Sequence, residues 1–319
     1  MQISCFSCPK FRESEAPGDD VLLVLPGHYY AVLDGATDPT QTIINGVTSG
    51  RFAALTCAEA VSALHLRSQD AGDTLLDQVS ASLQGALEQL EARGEWEPGQ
   101  KPPSTTLALA LETEDQWSFH LLGDSGLRLN GREEFIQRKR VDQISATARV
   151  TIYHLLQKQG LSGDELEQKT RQIIYYGLQR ALAKGLLTSA EVESVEHAAL
   201  ALELAPEASV LEFLQLGIVT QHHWANRGDS PLGFATLNGG RLAGEGRLSF
   251  SRPKSEVRSI ELFTDGYFTL PQDVDLQAWE EEFSRIEALD PHKLSECPAV
   301  KGSTTEEFSD DRTVLILRC

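Results

Sequence analysis

The chain has 319 residues, 41% of them hydrophobic and 24% charged, with a formal net charge of −19. This is the balance of a folded protein with a substantial core, in one large domain or two small ones. No apolar run approaches the roughly 20 residues of a membrane span, and the negative charge opposes nucleic-acid binding. The same charge repels a phosphorylated substrate too, unless bound cations invert the local potential. Met1–Lys10 lacks a basic segment followed by an apolar one, so no secretion leader is read. Five cysteines, an odd number, point to reduced thiols and a cytoplasmic setting. Cys5 and Cys8 form one C-x-x-C, while Cys57, Cys297 and Cys319 lie far apart, so at most half of a tetrahedral zinc site is present.

In chain order, the first predicted elements are a hairpin of Val21–Leu25 and Tyr29–Leu33 around the turn Pro26-Gly27-His28. A helix is read at Arg51–Leu66, burying Phe52, Leu55, Ala58, Val61 and Leu64. A second spans Asp73–Arg93, with Leu75, Leu76, Val79, Leu83, Ala86, Leu87 and Leu90 on one stripe, Asp73 as N-cap and Gly94 beyond the C-terminus. After a Pro/Gly loop at 95–103 comes a meander: Thr105–Leu111, Ser118–Leu122 and Gly126–Asn130. Amphipathic helical pattern then runs from about 141 to 204, read as an insertion because strand patterns resume at Glu212–Thr220, Ile260–Thr264 and Thr313–Leu317. His222 and His223, adjacent in the chain, read as exposed polar residues rather than ligands. His28 and His65 read as turn and helix residues, Trp224 as a core residue, and Glu280–Glu282 as a solvated helix face.

Aspartates recur at the ends of the apolar runs. Asp34-Gly35 follows Tyr-Ala-Val-Leu, Asp124 follows Phe-His-Leu-Leu-Gly, and Asp265-Gly266 follows Ile-Glu-Leu-Phe-Thr. Asp310-Asp311 precedes a run, as does Asp19-Asp20. A single Asp-Gly at a strand end is most simply a turn; a whole set of them places carboxylates beside a core, where strands sharing a sheet or sandwich can bring them together. Two carboxylates about 4 Å apart repel by roughly 4 kcal/mol at an effective dielectric near 20, so a cluster requires protons or cations. Oxygen-only ligands favour the hard ions Mg²⁺ or Mn²⁺. No cysteine is followed by arginine at C-x₅-R spacing, and no Ser/His/Asp arrangement stands out.

The order Asp19-Asp20, Asp34-Gly35, Ser104-Thr105-Thr106, Gly123-Asp124-Ser125, Thr264-Asp265-Gly266, Asp310-Asp311-Arg312-Thr313 resembles the motifs of the PP2C-like (PPM-type) metal-dependent protein phosphatases, in particular bacterial members. The resemblance spans about residues 19 to 317. It implies an α+β fold: a central antiparallel β-sandwich flanked by helices on both faces (αββα, four layers), formed here by one domain over 1–319 with the helical insertion at 141–204. It further implies two or three Mn²⁺ or Mg²⁺ ions. Asp34 would bridge two of them, the Gly35 carbonyl would ligate one, Asp265 and Asp310 would complete one site, Asp20 would stand near the other, and Asp124 would serve a third. Asp34 and Asp265 would thus carry catalysis, with a metal-bridging water attacking phosphorus in line, on a phosphoserine or phosphothreonine of a protein substrate.

The sequence departs from the family pattern in places. Ala36-Thr37-Asp38 follows the first Asp-Gly, leaving Asp38 as an extra carboxylate and Ala36 where some eukaryotic members carry histidine. Glu15 occupies the place of a phosphate-binding arginine, for which Arg12, or Lys10, is the nearest substitute. Asp19 stands for the usual glutamate and Asp311 for the usual asparagine. A non-enzymatic binding module that keeps the fold, and a phosphatase of small metabolites, are the alternative readings. The insertion, outside the resembling core, is expected to affect substrate choice more than metal binding. Oligomeric state is not legible.

Overall fold

The structure is a computed structural model and describes residues 1–40, 42–63, 72–97 and 100–319. In chain order the elements are β1 (Gln2–Cys8), β2 (Val21–Leu25), β3 (Tyr29–Leu33), the short pair β4 (Ile43–Ile44) and β5 (Val47–Thr48), then α1 (Ser49–Ala63) and α2 (Gly72–Ala92). Four strands follow: β6 (Leu107–Glu112), β7 (Gln116–Leu122), β8 (Gly126–Leu129) and β9 (Glu133–Phe135). Next come α3 (Arg140–Lys158), α4 (Gly163–Tyr176), α5 (Leu178–Ala183), α6 (Ser189–Leu200), α7 (Glu207–Leu216) and a 3-10 turn at Ile218–His223. The chain ends with β10 (Arg247–Pro253), β11 (Ser259–Phe263), α8 (Leu276–Leu289) and β12 (Arg312–Arg318).

Two antiparallel five-stranded sheets stack face to face, in the orders β10-β7-β6-β3-β2 and β1-β12-β11-β8-β9. Alternation along the strands explains why these segments read as continuous apolar runs, since both faces are covered. Tyr30, Val32, Ala108 and Ala110 face Ile260, Leu262, Leu315 and Leu317 across the sandwich. Their neighbours Tyr29, Ala31, Leu33, Leu107 and Leu109 point outward, under α1 and α2. On the other side Val314, Ile316 and Phe263 pack beneath Trp279 and Phe283 of α8. The expected αββα layering is therefore the one observed.

The α2 stripe is buried as its spacing predicts, from Leu75 through Leu90. In α1, Phe52, Ala58 and Val61 are buried, but Leu55 is 40% exposed. Leu64 to Leu66, including His65, and the side chain of Asp73 lie outside what is described.

Three readings are corrected. Glu212–Thr220 is not a strand: Val210, Phe213 and Leu214 sit at helical spacing and enter a helical core with Ile152, Leu166 and Ile173. Gly217, at φ +76°, ends α7 and starts the 3-10 turn, so the helical stretch runs to 223 rather than 204 and His222 and His223 lie on that turn. Three edge strands, β1, β9 and β10, lie outside the strands expected from the sequence: β9 is three residues long, and β1 and β10 each alternate apolar residues with serine, cysteine or arginine and show a half-exposed face.

Candidate metal centre

Strand register delivers the aspartates to one end of the sandwich. Val21 pairs with Leu33, so the residues before β2 lie beside the residue after β3. Phe263 pairs with Val314 and with Gly126, bringing Asp265, the Asp310-Asp311 turn and Asp124 together in the other sheet. Carboxylate oxygens of Asp34, Asp124 and Asp265 lie within 4.8 Å of one another. They line a cavity of about 810 Å³ whose walls also include Asp19, Asp310, Lys10, Lys139 and Lys301. The opposite wall comes from α4 and the 3-10 turn, through Arg171, Tyr175, Gln221 and His222.

Several small residues in the motifs have a local steric or hydrogen-bonding task. A Cβ on Gly35 would meet the backbone of Gly50 at 2.5 Å, so this glycine lets α1 abut the end of β3. Thr105 Oγ1 and the Thr106 amide both donate to the Asp34 carbonyl, at 2.8 and 2.9 Å, holding the backbone that presents its carboxylate. Thr106 and Ser125 hydroxyls share a 2.6 Å bond that joins this strand end to the turn carrying Asp124.

The two acidic pairs each divide their labour. Asp19 lines the cavity and accepts from the Thr48 hydroxyl. Asp20 does not line it: its carboxylate is buried and accepts from Thr264 Oγ1 at 2.8 Å, tying the end of one sheet to the other. Asp310 and Asp311 both line the cavity, but Asp311 also accepts the backbone amides of Lys10 (2.6 Å) and Asp19 (2.7 Å) and so fixes the course of the N-terminal segment. Asp38 is occupied with its own loop, accepting from Thr40 and Thr42.

Electrostatics single out the centre of the cluster. Burial, followed by repulsion from Asp265 and Asp20, pushes the Asp34 carboxyl well above the usual range. Desolvation by the surrounding protein and then Asp124 and Asp310 do the same to Asp265, although its side chain is exposed to the open cleft. Burial and Asp311 raise Asp20 to about 8. Asp310 behaves oppositely: burial pushes it up, but Lys301, whose Nζ lies 2.7 Å from Oδ2, and Lys10 hold it below the usual value. Asp124 Oδ2 is 2.7 Å from Lys139 Nζ, while its buried Oδ1 has no hydrogen-bond partner. A buried carboxylate oxygen without a partner, beside two carboxyls raised by burial and repulsion, matches the requirements of a hard divalent cation.

Arg12 is not at this site. Its guanidinium stacks on Phe308, 3.9 Å from the ring centroid, and donates to the Thr304 carbonyl on the outer surface. Its neighbour Lys10 is the residue that turns inward, with Nζ donating to Thr37 Oγ1 at 2.9 Å. Lys301 Nζ approaches the same hydroxyl at 3.5 Å. Lys10 was the second candidate that the sequence offered for this part, whereas Lys301, from a segment outside the strands, carried no signal there. His222 also lines the cavity, and its Nδ1 is buried without a partner.

Among solved structures, the whole chain aligns with bacterial phosphatases. Serine/threonine phosphatase Stp1 from Staphylococcus aureus is 11% identical over 100% of this chain and 94% of that one, with a TM-score of 0.49. PstP/Ppp from Mycobacterium tuberculosis is 16% identical over 99% and 97%, with a TM-score of 0.43. PppA of Pseudomonas aeruginosa is 14% identical over 99% and 96%, with a TM-score of 0.46. No protein-family model matches the chain, and no curated protein sequence matches it significantly.

Proposed function

We propose that the protein is a metal-dependent phosphatase that hydrolyses phosphoserine or phosphothreonine monoesters in a protein substrate. The observation that carries this reading is the meeting of Asp34, Asp124 and Asp265 within 4.8 Å at one end of the sandwich. The motif order that resembles the PP2C-like family supports it.

Asp34 and Asp265 would hold the ions, Mn²⁺ or Mg²⁺, with Asp124 Oδ1 and Asp310 at the margins and Asp19, rather than Asp20, on the N-terminal side. When bound, such ions act as Lewis acids toward phosphoryl oxygens and activate water at neutral pH. The chain's own part is positioning. Thr105 and Thr106 hold Asp34 by its carbonyl, and Asp311 holds the segment that carries Lys10. Lys10 and Lys301, converging on Thr37, place two ammonium groups beside the carboxylates of the cleft, where a phosphate dianion would enter. Lys10 thus takes the part that the sequence reading gave to Arg12. An open cleft walled on one side by α4 and the 3-10 turn admits an extended peptide better than a flat surface does.

Hydrolysis of a phosphothreonine peptide, followed with and without Mn²⁺ and repeated with small phosphorylated metabolites, tests the reading. Metal-dependent release of phosphate from the peptide is expected. A folded protein with no turnover on either substrate would instead support the binding-module reading.

A further inference from the structure

Lys139 stands where local electrostatics disfavour it. It is the N-cap residue of α3, a helix of 19 residues, and the partial positive charge of a helix N-terminus favours anions there, not cations. Its side chain supplies no cap hydrogen bond and crosses into the cavity instead. Nζ lies 2.7 Å from Asp124 Oδ2 and 3.7 Å from Asp142 Oδ2, with the ring of Phe234 at 5.7 Å on its flank. Asp142 sits in the first turn of the same helix, and its other oxygen accepts from Gln221 Nε2 at 3.2 Å. The two carboxylates therefore come from different elements, the β7–β8 turn and α3, and the ammonium bridges them. A local rule broken with such specific compensation marks a placement with a purpose.

We infer that Lys139 is a built-in cation that occupies the place a further divalent ion would take between Asp124 and Asp142, limiting the cleft to the ions held around Asp34 and Asp265. This rests on the metal-centre reading of those two aspartates. A divalent ion on Asp124 Oδ2 would share that oxygen with an ammonium already at hydrogen-bonding distance, and the two positive charges would repel each other across it. Asp124 Oδ1, buried and unpartnered, stays available to the central ions. The lysine thus divides one carboxylate between a fixed charge and an exchangeable one.

The test is the number of Mn²⁺ ions bound per full-length chain, measured by equilibrium dialysis with metal analysis and by electron paramagnetic resonance of free Mn²⁺. Lys139→Met removes the charge at nearly constant volume, and Lys139 belongs to none of the apolar cores, so the variant is expected to keep its far-UV circular dichroism; Lys139→Gln carries the same test if it does not. The expected result is one more ion per chain in K139M than in the unsubstituted protein, lost again in K139M/D142N. Equal stoichiometry in K139M and the unsubstituted protein overturns the inference while leaving the metal centre standing. No Mn²⁺ bound by the unsubstituted protein overturns the metal-centre reading, and the inference with it.

Discussion

The carboxylate of Glu167, fully buried in α4, accepts a hydrogen bond from the backbone amide of Gly302 at 2.8 Å, one residue from the lysine that pairs with Asp310. Glu167 also pairs with the buried guanidinium of Arg149 in α3. Arg149 in turn donates to the carbonyls of His292 (2.9 Å), Lys293 and Ala299 (both 3.2 Å), and Arg171 donates to the Gly302 carbonyl. Helices α3 and α4 thus grip the segment that leads to Asp310. The sequence reading expects this helical stretch to affect substrate choice more than metal binding; its contacts reach the segment that carries Asp310.

Removing one partner of this buried pair leaves the other charge uncompensated. Glu167→Gln is therefore expected to lower unfolding stability by about 3–5 kcal/mol, read from urea denaturation. Weaker Mn²⁺ binding should accompany it, because Lys301 and Asp310 lose their support. Unchanged Mn²⁺ affinity in a folded variant would separate the clamp from the site.

Asp34 and Asp265 are expected to show a trade between stability and function. Asp34→Asn or Asp265→Asn removes an ion ligand worth several kcal/mol of transition-state stabilisation, an activity loss of at least about 10³-fold. Without added metal the same variants should melt higher than the unsubstituted protein, since a carboxylate that repels its neighbours has gone. Differential scanning fluorimetry with and without Mn²⁺ checks both signs.

The raised carboxyls of Asp20, Asp34 and Asp265 also set a pH dependence. A carboxyl with a folded pKa above its unfolded value binds more protons in the native state. Stability contributed by that group therefore falls as pH rises from the unfolded value near 4 toward the folded value, about 8 for Asp20. Asp310, held low, contributes in the opposite sense near and below pH 4. Chelator-treated protein is expected to melt at a lower temperature at pH 8 than at pH 6. Added Mn²⁺ should reverse that order, because ions compete with protons for the same oxygens and stabilise by about 2.7 kcal/mol at one hundred times their dissociation constant. A melting temperature indifferent to Mn²⁺ across this range would contradict the assignment.

The two N-terminal cations are expected to separate cleanly. Lys10→Met should raise KM for a phosphopeptide, since Lys10 Nζ faces the cleft beside Thr37. Arg12→Ala should leave kinetics within about twofold; it removes the stacking on Phe308, about 0.5–1 kcal/mol for an exposed cation–π contact, together with the bond to the Thr304 carbonyl and the exposed pairing with Glu287. The reverse ranking would restore the sequence assignment of Arg12.

Legibility in the sequence followed burial. Strands β3, β11 and β12 are continuous apolar runs bounded by aspartate because both faces of each are covered, and β2, a partly buried edge strand, is a continuous apolar run too; the limits of all four lie within a residue or so of those expected. Edge strands β1 and β10 expose one face, so Gln-Ile-Ser-Cys-Phe-Ser-Cys and Arg-Leu-Ser-Phe-Ser-Arg-Pro offered no such run. Leu-Glu-Phe-Leu-Gln-Leu read as strand because a short apolar run does not distinguish helix from strand until its packing partners are known. The strand-end aspartates of the site could be named from their neighbours alone. Which member of the first acidic pair faces the cavity could not: Asp19 lines the cleft while Asp20 is tied to the Thr264 hydroxyl, whereas Asp310 and Asp311 both line it and Asp311 also accepts backbone amides. Lys139 and Lys301 reach the site only through tertiary structure, from a helix cap and a loop.

The account stands on Asp34 and Asp265 holding divalent ions between them. Anomalous scattering at the manganese edge, from crystals grown with Mn²⁺, measures this directly. The predicted result is anomalous density within coordination distance of both carboxylates, with Asp124 Oδ1 turned toward it. Well-ordered carboxylates with no anomalous density between them would contradict the account.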